Sequence, residues 1–363
     1  MFRKLAGVIS RLYQTIKIRR NREINIDCVY VTNQGSNSIS QYIVSAHGSL
    51  VPMNVATVAA GTTPVFIAAT PSGQYAYVSN QGGNCISQYR ISANGSLEVI
   101  AAPVAAGTSP VEIAIDPSGR FAYVANSSSN DVSQYLIDDS GKLHPMAPAT
   151  IQTGMIPVAI TVDSTGRYVY VANNSSNDIS QYLISESGCL EAMSPATIAA
   201  GLAPRSIAVE PSGKYVYVVN RTSGDISQYA ISQNGSLKPI LTPVAAGKHP
   251  IFISIAPSGR FSYVANQNGN SISQFTLAEN GNLVPISPAT VDSAVTPVSI
   301  AVTRSGRYAY AANISSNNVT QFSLGEQGGL KAIPVNTWGK ATVAADVSPR
   351  FVMSIDIKTG AAT

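Results

Sequence analysis

Apolar and polar positions alternate along the chain in short runs separated by tight turns. In residues 110–156 the run PVEIAID ends in a PSG turn, RFAYVAN follows, and VSQYLID comes after a polar loop, SSSND. A looser segment that contains prolines, KLHPMAPATIQTG, completes the unit. Alternation of this kind between turns rich in Gly, Ser and Asn is typical of short antiparallel strands. The pattern predicts four strands, here named a to d. Strand d is expected at an edge, where proline leaves no ladder hydrogen bond unmade.

The same unit is written seven times. Each copy has a tyrosine in strand b, and successive tyrosines are 46 or 47 residues apart: Tyr30, Tyr77, Tyr123, Tyr170, Tyr217, Tyr263 and Tyr310. Repeats of this length occur in propeller blades and in helical arrays. Only 12% of the residues are charged, and Ser, Asn, Gly, Val and Tyr are abundant, which favours sheets over helices. We therefore predict an all-β, seven-bladed β-propeller with four antiparallel strands in each blade.

The two ends of the chain predict how the ring closes. The first copy begins directly with a strand b at residues 24–33, whereas the last copy is followed by an extra apolar run at 349–357. That run, PRFVMSIDI, resembles strand a of the other copies. We expect the N-terminal strands b, c and d to join this C-terminal strand a in one blade, because closure removes exposed sheet edges. The propeller would occupy residues 24–363, and residues 1–23 would form a separate basic extension.

Two amide side chains recur in every copy. Buried amides need hydrogen-bond partners, so we expect these residues to join the blades or to form turns, and not to act in catalysis. They are Gln41, Gln88, Gln134, Gln181, Gln228, Gln274 and Gln321 in strand c, and Asn33, Asn80, Asn126, Asn173, Asn220, Asn266 and Asn313 at the end of strand b.

The first 22 residues differ from the rest in charge. They hold seven basic side chains and no acidic one, so removing them from the net charge of +4 leaves −3. A mildly acidic body argues against a nucleic-acid partner. Leu5, Val8, Leu12 and Ile16 share one helical face, which predicts a helix that contacts a membrane surface. The alternatives are a disordered tail, a start codon placed too far upstream, or an unusual targeting signal.

The compartment is not fixed by the sequence. The longest apolar run near the N-terminus, LAGVI, is too short for a secretory signal peptide. We expect a cytoplasmic protein, with peripheral attachment to a membrane as an alternative.

Metal and cofactor motifs do not stand out. Cys28, Cys85 and Cys189 are far apart, which argues against a disulfide framework and a zinc site. The loops between strands b and c are rich in Ser, Asn and Asp, but no copy has three carboxylates at calcium-ligand spacing. The chain has neither a phosphate loop nor a Gly-x-Ser-x-Gly motif. We expect no metal and no cofactor.

A specific site is expected where one copy departs from the others. The loops from d to a and from b to c should meet around one mouth of the central channel, and ligands favour such concave surfaces. After the proline that opens strand a, five copies have Val or Ile, but two have Arg205 and Arg350. Glu112 is the only charge at the following position, and His249 lies just before its strand.

These four residues suggest a division of roles. Arg205 and Arg350 could bind a carboxylate or phosphate through bidentate hydrogen bonds. Glu112 or His249 could take a proton from water or from a carbon beside a carbonyl group. The alternative is that Glu112 forms a structural contact with an arginine or a loop N–H and does no chemistry.

The tetrapeptide YVTN at 30–33, its six variants and the recurring PSGRY-like turn resemble the YVTN-repeat β-propellers. Those proteins are similar to the seven-bladed lactonase family, which includes propeller 6-phosphogluconolactonases and fungal muconate cycloisomerases. Enzymes of that family often carry Pro-Arg-His at the start of a strand a. Here the matches are Pro204-Arg205-Ser206 and Pro349-Arg350-Phe351, so the arginine is present twice without the histidine.

Two functional hypotheses follow. The first is a binding scaffold whose channel face holds a small anionic ligand, a protein or a glycan. The alternative, implied by the resemblance, is a hydrolase of sugar lactones or other anionic lactones. We expect a monomer in either case.

Overall fold

Each sequence repeat folds into one antiparallel sheet, and seven sheets form a ring around a central channel. The structure is a computed structural model that describes residues 24–334 and 342–359. The predicted N-terminal extension, residues 1–23, lies outside the described residues. No part of the described chain is helical, and it therefore contains no helix able to cross a membrane.

The strands are numbered in chain order, and within a blade they follow one another from the channel outward. Blade 1 contains β1 (Ile24–Asn33), β2 (Ser38–Val44) and β3 (Leu50–Ala59); blade 2 contains β4 (Pro64–Ala69), β5 (Tyr75–Asn80), β6 (Cys85–Ile91) and β7 (Leu97–Ala105); blade 3 contains β8 (Pro110–Ile115), β9 (Phe121–Asn126), β10 (Asp131–Ile137) and β11 (Leu143–Gln152). Blade 4 contains β12 (Pro157–Val162), β13 (Tyr168–Asn173), β14 (Asp178–Ile184) and β15 (Leu190–Ala199); blade 5 contains β16 (Pro204–Val209), β17 (Tyr215–Asn220), β18 (Asp225–Ile231), β19 (Leu237–Pro239) and β20 (Val244–Ala245). Blade 6 contains β21 (Pro250–Ile255), β22 (Phe261–Asn266), β23 (Ser271–Leu277) and β24 (Leu283–Asp292); blade 7 contains β25 (Pro297–Val302), β26 (Tyr308–Asn313), β27 (Asn318–Leu324), β28 (Leu330–Ala332) and β29 (Thr342–Ala344); the last strand is β30 (Pro349–Thr359).

The outermost strand, strand d, is continuous in five blades and interrupted in two. In blade 5 it consists of β19 and β20, which both pair with β18. In blade 7, β28 and β29 both pair with β27. Prolines lie in strand d of other blades, for example Pro145 in β11 and Pro285 in β24, as predicted for an edge strand.

The ring closes as the sequence predicts. Strand β30 pairs antiparallel with β1, with Ile355 opposite Cys28, and so supplies strand a of blade 1. Each strand a contacts the strands a of the blades on both sides, so the innermost strands form a complete circle. This arrangement confirms the prediction that blade 1 is built from both ends of the chain.

Recurring glutamines join neighbouring blades. Gln134 Oε1 accepts a hydrogen bond from the backbone N–H of Leu190 in the next blade (2.6 Å), and its Nε2 donates to Pro148 O in its own blade (3.0 Å). The same blade-to-blade bond from a strand-d N–H to a glutamine Oε1 occurs at all seven interfaces and includes the closing pair, Leu50 and Gln321. The predicted structural role of these glutamines is confirmed.

The recurring tyrosines of strand b form a second set of hydrogen bonds between blades. The hydroxyl of Tyr77 donates to Gly141 O in the next blade (2.8 Å), and the equivalent bond is present in all seven copies. These tyrosines are fully buried. Each blade thus presents the same hydrogen-bonding faces to its neighbours, which explains why the sequence repeats at these positions.

Candidate active site at the channel mouth

The start of each strand a points one side chain into the channel. In every blade the pairing of strands a and b shifts register just after the opening proline, as in Pro204 opposite Asn220 followed by Ser206 opposite Val219. Such a bulge leaves one residue unpaired and redirects its side chain. The residues at this position line the narrow part of the channel together: Val65, Val111, Val158, Arg205, Ile251, Val298 and Arg350.

The channel consists of two cavities joined by a narrow waist. The mouth cavity has a volume of about 340 Å³, the waist about 50 Å³ and the lower channel about 300 Å³. Three phenylalanines form the waist. The ring of Phe351 lies 3.9 Å from that of Phe66 and 5.3 Å from that of Phe252, measured between centroids. The mouth cavity is therefore a cup with an aromatic floor.

Three arginines line the cup: Arg205 and Arg350 from strands a, and Arg221 from the loop between β17 and β18. Burial, and after it the charges of Arg350 and Arg221, lower the pKa of Arg205 to about 9, while the charge of Glu112 opposes the shift. Burial and the charge of Arg221 also lower the pKa of Arg350. The guanidinium groups are close enough to repel one another, but a pKa near 9 still leaves Arg205 charged at neutral pH.

Glu112 lies at the waist, where it borders both the narrow part of the channel and the lower channel. Burial raises the pKa of its carboxyl group to about 8, although a hydrogen bond from the backbone of Ile160 and the nearby charge of Arg205 act in the opposite direction. The carboxyl group is therefore mostly protonated at neutral pH and ionised above pH 8. A group with a pKa in this range can exchange protons with a substrate near neutrality.

The positive charge of the cup is not balanced by acidic side chains. Two ion pairs form within the described residues, Arg90 with Glu98 and His144 with Asp138, and neither involves a residue of the cup. Three guanidinium groups thus line the cup, and Glu112, at the waist beside Arg205 and Arg350, is mostly protonated at pH 7. An anion bound in the cup would relieve their repulsion.

His249 is placed apart from the other candidates. It precedes Pro250 with a φ of 53°, and its Nδ1 is buried with no hydrogen-bond partner among the described residues. The described side chains that line the cup, the waist and the lower channel do not include it. The structure thus brings together Glu112, Arg205 and Arg350 but leaves His249 outside. The roles assigned to all four residues remain predictions.

Arg221 was missed by the sequence analysis. It follows the recurring asparagine of strand b, where the other copies carry Gln34, Gln81, Ser127, Asn174, Gln267 and Ile314. Arg221 is the only charged residue in that set. Its signal in the sequence is of the same kind as that of Arg205, namely a charged residue at a repeat position where most other copies are uncharged.

The cup can bind a small anion and present it to a carboxyl group. Arginine binds carboxylates and phosphates through paired N–H groups, and three arginines can surround an anion on several sides. No cluster of three or more His, Cys, Asp or Glu side chains in the described part of the chain is arranged to hold a metal ion.

Comparisons with known proteins agree with the architecture. The model of the family described as "Lactonase, 7-bladed beta-propeller" matches residues 25–156, 144–252 and 250–344. No curated protein sequence matches the chain.

Solved structures share the fold at low sequence identity. A periplasmic gluconolactonase from Pseudomonas aeruginosa is 20% identical, with a TM-score of 0.77 over 92% of this chain and 99% of that one. A protein from Bacteroides fragilis proposed to be a 6-phosphogluconolactonase is 18% identical, with a TM-score of 0.79 over 92% and 98%. A protein from Lactobacillus plantarum is 19% identical, with a TM-score of 0.78 over 92% and 100%. At these identities the structures support the fold alone.

Proposed function

The chain belongs to the lactonase family of seven-bladed β-propellers, and we propose on that basis that it hydrolyses an anionic lactone in the cup at the channel mouth. One observation carries the proposal. Three arginines without carboxylate partners in the described chain surround a cavity whose floor holds a carboxyl group of pKa about 8. A scaffold would not need that carboxyl group, so the features of the cup favour catalysis over the scaffold hypothesis.

Each residue has a defined part in the proposed reaction. Arg205, Arg221 and Arg350 bind the anionic group of the lactone and hold the ring above the waist. The Glu112 carboxylate takes a proton from a water molecule as the water oxygen bonds to the lactone carbonyl carbon. The ring C–O bond then breaks, and the proton passes from Glu112 to the departing ring oxygen, which gives a hydroxy acid. General base catalysis of this kind contributes about 100-fold to 10,000-fold.

The raised pKa of Glu112 predicts how the rate depends on pH. Its folded pKa lies above the ordinary value because burial disfavours the ionised form. The base is therefore mostly protonated below pH 8, and kcat/KM should rise as the pH increases through about 8.

The test is hydrolysis of 6-phosphogluconolactone, measured above the spontaneous rate, beside the neutral glucono-δ-lactone. We expect turnover of the anionic lactone and a preference for it over the neutral one. Arg205→Ala should remove most of that preference. Arg167→Ala is the control, because Arg167 is an exposed arginine in the turn between β12 and β13 and does not line the cup.

The lactone assay can either support or contradict the proposed function. A preference for the anionic lactone that is mostly lost in Arg205→Ala and kept in Arg167→Ala supports the proposal. A well-folded parent protein that hydrolyses neither lactone, or a parent unaffected by Arg205→Ala, contradicts it.

A further inference from the structure

The rim of the mouth, formed by the loops that lead into strands a, carries several exposed apolar side chains. Met155 and Leu202 occupy the same position in the loops that lead into strand a of blades 4 and 5, and they are 58% and 55% exposed. Blades 2 and 3 have Thr62 and Thr108 at this position. Blade 6 has Lys248, and blades 7 and 1 have Val295 and Val347, which are 51% and 49% exposed. Met155 and Leu202 are the longest apolar side chains at this position, and they lie in adjacent blades.

Ile156 is the most unusual residue of the rim. It is 42% exposed, it lines the cup, and its φ of 54° lies in the left-handed region, which is unfavourable for a β-branched residue. All copies have a positive φ at this position, but Ser109 and Thr296 use their hydroxyl groups to bond to a loop serine. Isoleucine has no such bond to make. The positive φ belongs to the fold, so what distinguishes this copy is an exposed isoleucine that lines the cup.

These apolar residues are held beside the arginines by loop contacts. The backbone N–H of Asn174 donates to Ile156 O (2.8 Å), and the Asn174 side chain donates to Pro204 O (3.0 Å), next to Arg205. The N–H of Arg221 donates to Ala203 O (3.0 Å), directly after Leu202. The apolar side chains of Met155, Ile156 and Leu202 therefore lie on the part of the rim next to Arg205 and Arg221.

We propose that the cup binds an amphiphilic anion: a phosphate or carboxylate group on Arg205, Arg221 and Arg350, with an apolar arm that leaves the cup over Met155, Ile156 and Leu202. The inference rests on the proposed function, because the anion subsite is the one assigned there to the lactone. It adds a substrate class, namely anionic lactones that carry an apolar substituent. An arm in contact with the rim would cover apolar surface that is otherwise exposed to water.

The first experiment measures binding without any reaction. Inorganic phosphate, butyl phosphate and octyl phosphate are titrated into the full-length protein below the micellar concentration, with dissociation constants from calorimetry. Octyl phosphate should bind at least about tenfold more tightly than inorganic phosphate, because each buried methylene adds to affinity.

The variants exchange rim residues for those of the chain's own polar copies. Ile156→Thr with Leu202→Thr should weaken octyl phosphate about threefold to tenfold and leave inorganic phosphate unchanged. Val295→Thr is the control. Val295 is an exposed residue at the position of Leu202, but it belongs to blade 7, which contributes none of the described residues that line the cup.

Several outcomes would overturn the inference. Equal affinity for inorganic and octyl phosphate would do so, as would an equal loss from the Val295→Thr control. Binding to vesicles of anionic phospholipid without a gain from the octyl chain would assign the rim to a membrane surface instead.

The inference and the proposed function can fail separately. A gain from the octyl chain without hydrolysis of any lactone would keep the amphiphile site and refute the lactonase. If the protein hydrolyses 6-phosphogluconolactone but binds inorganic, butyl and octyl phosphate equally well, the lactonase proposal stands and the apolar subsite is refuted.

Discussion

Between the blades the same tyrosine and glutamine recur seven times, whereas at the channel mouth each charged residue occurs in only one or two blades. The interfaces are buried and must fit identical neighbours, so a change in one copy would leave partners unpaired. The walls of the mouth face the channel and have no such neighbour. In this ring the repeated residues join the blades, and several of the residues that differ between copies line the channel mouth.

Loss of the two strand-a arginines should affect activity strongly and stability little. Arg205→Ala combined with Arg350→Ala should lower kcat/KM for an anionic lactone about 1,000-fold, because each buried charged contact is worth roughly 2 kcal/mol or more. The melting temperature should stay the same or rise, since burial and mutual repulsion disfavour these charges in the fold. Steady-state kinetics and a thermal melt of the same samples check both parts. A large fall in melting temperature would show that the mouth also supports the fold.

Glu112→Gln should lower kcat/KM about 100-fold above pH 8, where the parent carboxylate is ionised. The rise in rate through pH 8 should disappear, because glutamine does not titrate. The measurement is a profile of kcat/KM from pH 6 to pH 9, corrected for spontaneous hydrolysis. If the variant kept the same rise, the titrating group would have to be another residue.

A substitution at the interface between two blades should reduce stability and leave activity unchanged. Gln134→Ala should reduce the free energy of unfolding by about 2–3 kcal/mol, because it leaves Leu190 N–H and Pro148 O without partners. Lactone turnover at a temperature well below melting should be unchanged. Chemical denaturation is the measurement, with Leu136→Ala as the control, since Leu136 is exposed on the same strand. Equal losses in the two variants would contradict the role of the glutamine.

A smaller loss is expected for Tyr135→Phe, about 0.5–1.5 kcal/mol. The hydroxyl of Tyr135 donates to Ala105 O of the neighbouring blade (2.6 Å), but blades 6 and 7 already use Phe275 and Phe322 at this position. Chemical denaturation beside Gln134→Ala should show the smaller change. A loss as large as that of the glutamine variant would mean that the hydroxyl bond matters more than its natural replacements suggest.

His249→Ser should have the smallest effect, with kcat/KM within about twofold of the parent. Serine occupies the same position in blades 3 and 1, as Ser109 and Ser348, and His249 does not line the cup described above. The kinetic assay that measures Arg205→Ala checks this. A tenfold or greater fall would restore His249 as a candidate base, in agreement with the prediction made from the sequence.

The strands, the turns, the number of blades and the way the ring closes could all be predicted from the amino-acid sequence. These features depend on local alternation and on a repeat of 46 or 47 residues, and both can be read along the chain. The structural role of the recurring glutamines was also predictable, because a buried amide at every interface requires partners.

Which of the non-repeated residues share a cavity depends on the three-dimensional fold and could not be predicted from the sequence. Arg205 and Arg350 are 145 residues apart in the chain and meet because the ring brings their strands to one channel. Arg221 joins them from a loop, while His249 is directed elsewhere although it lies next to a strand a. The pKa of Glu112 likewise depends on burial at the waist. The direction of a side chain and its distance from other charges follow from bulges, loops and neighbouring blades, so a local sequence pattern cannot specify them.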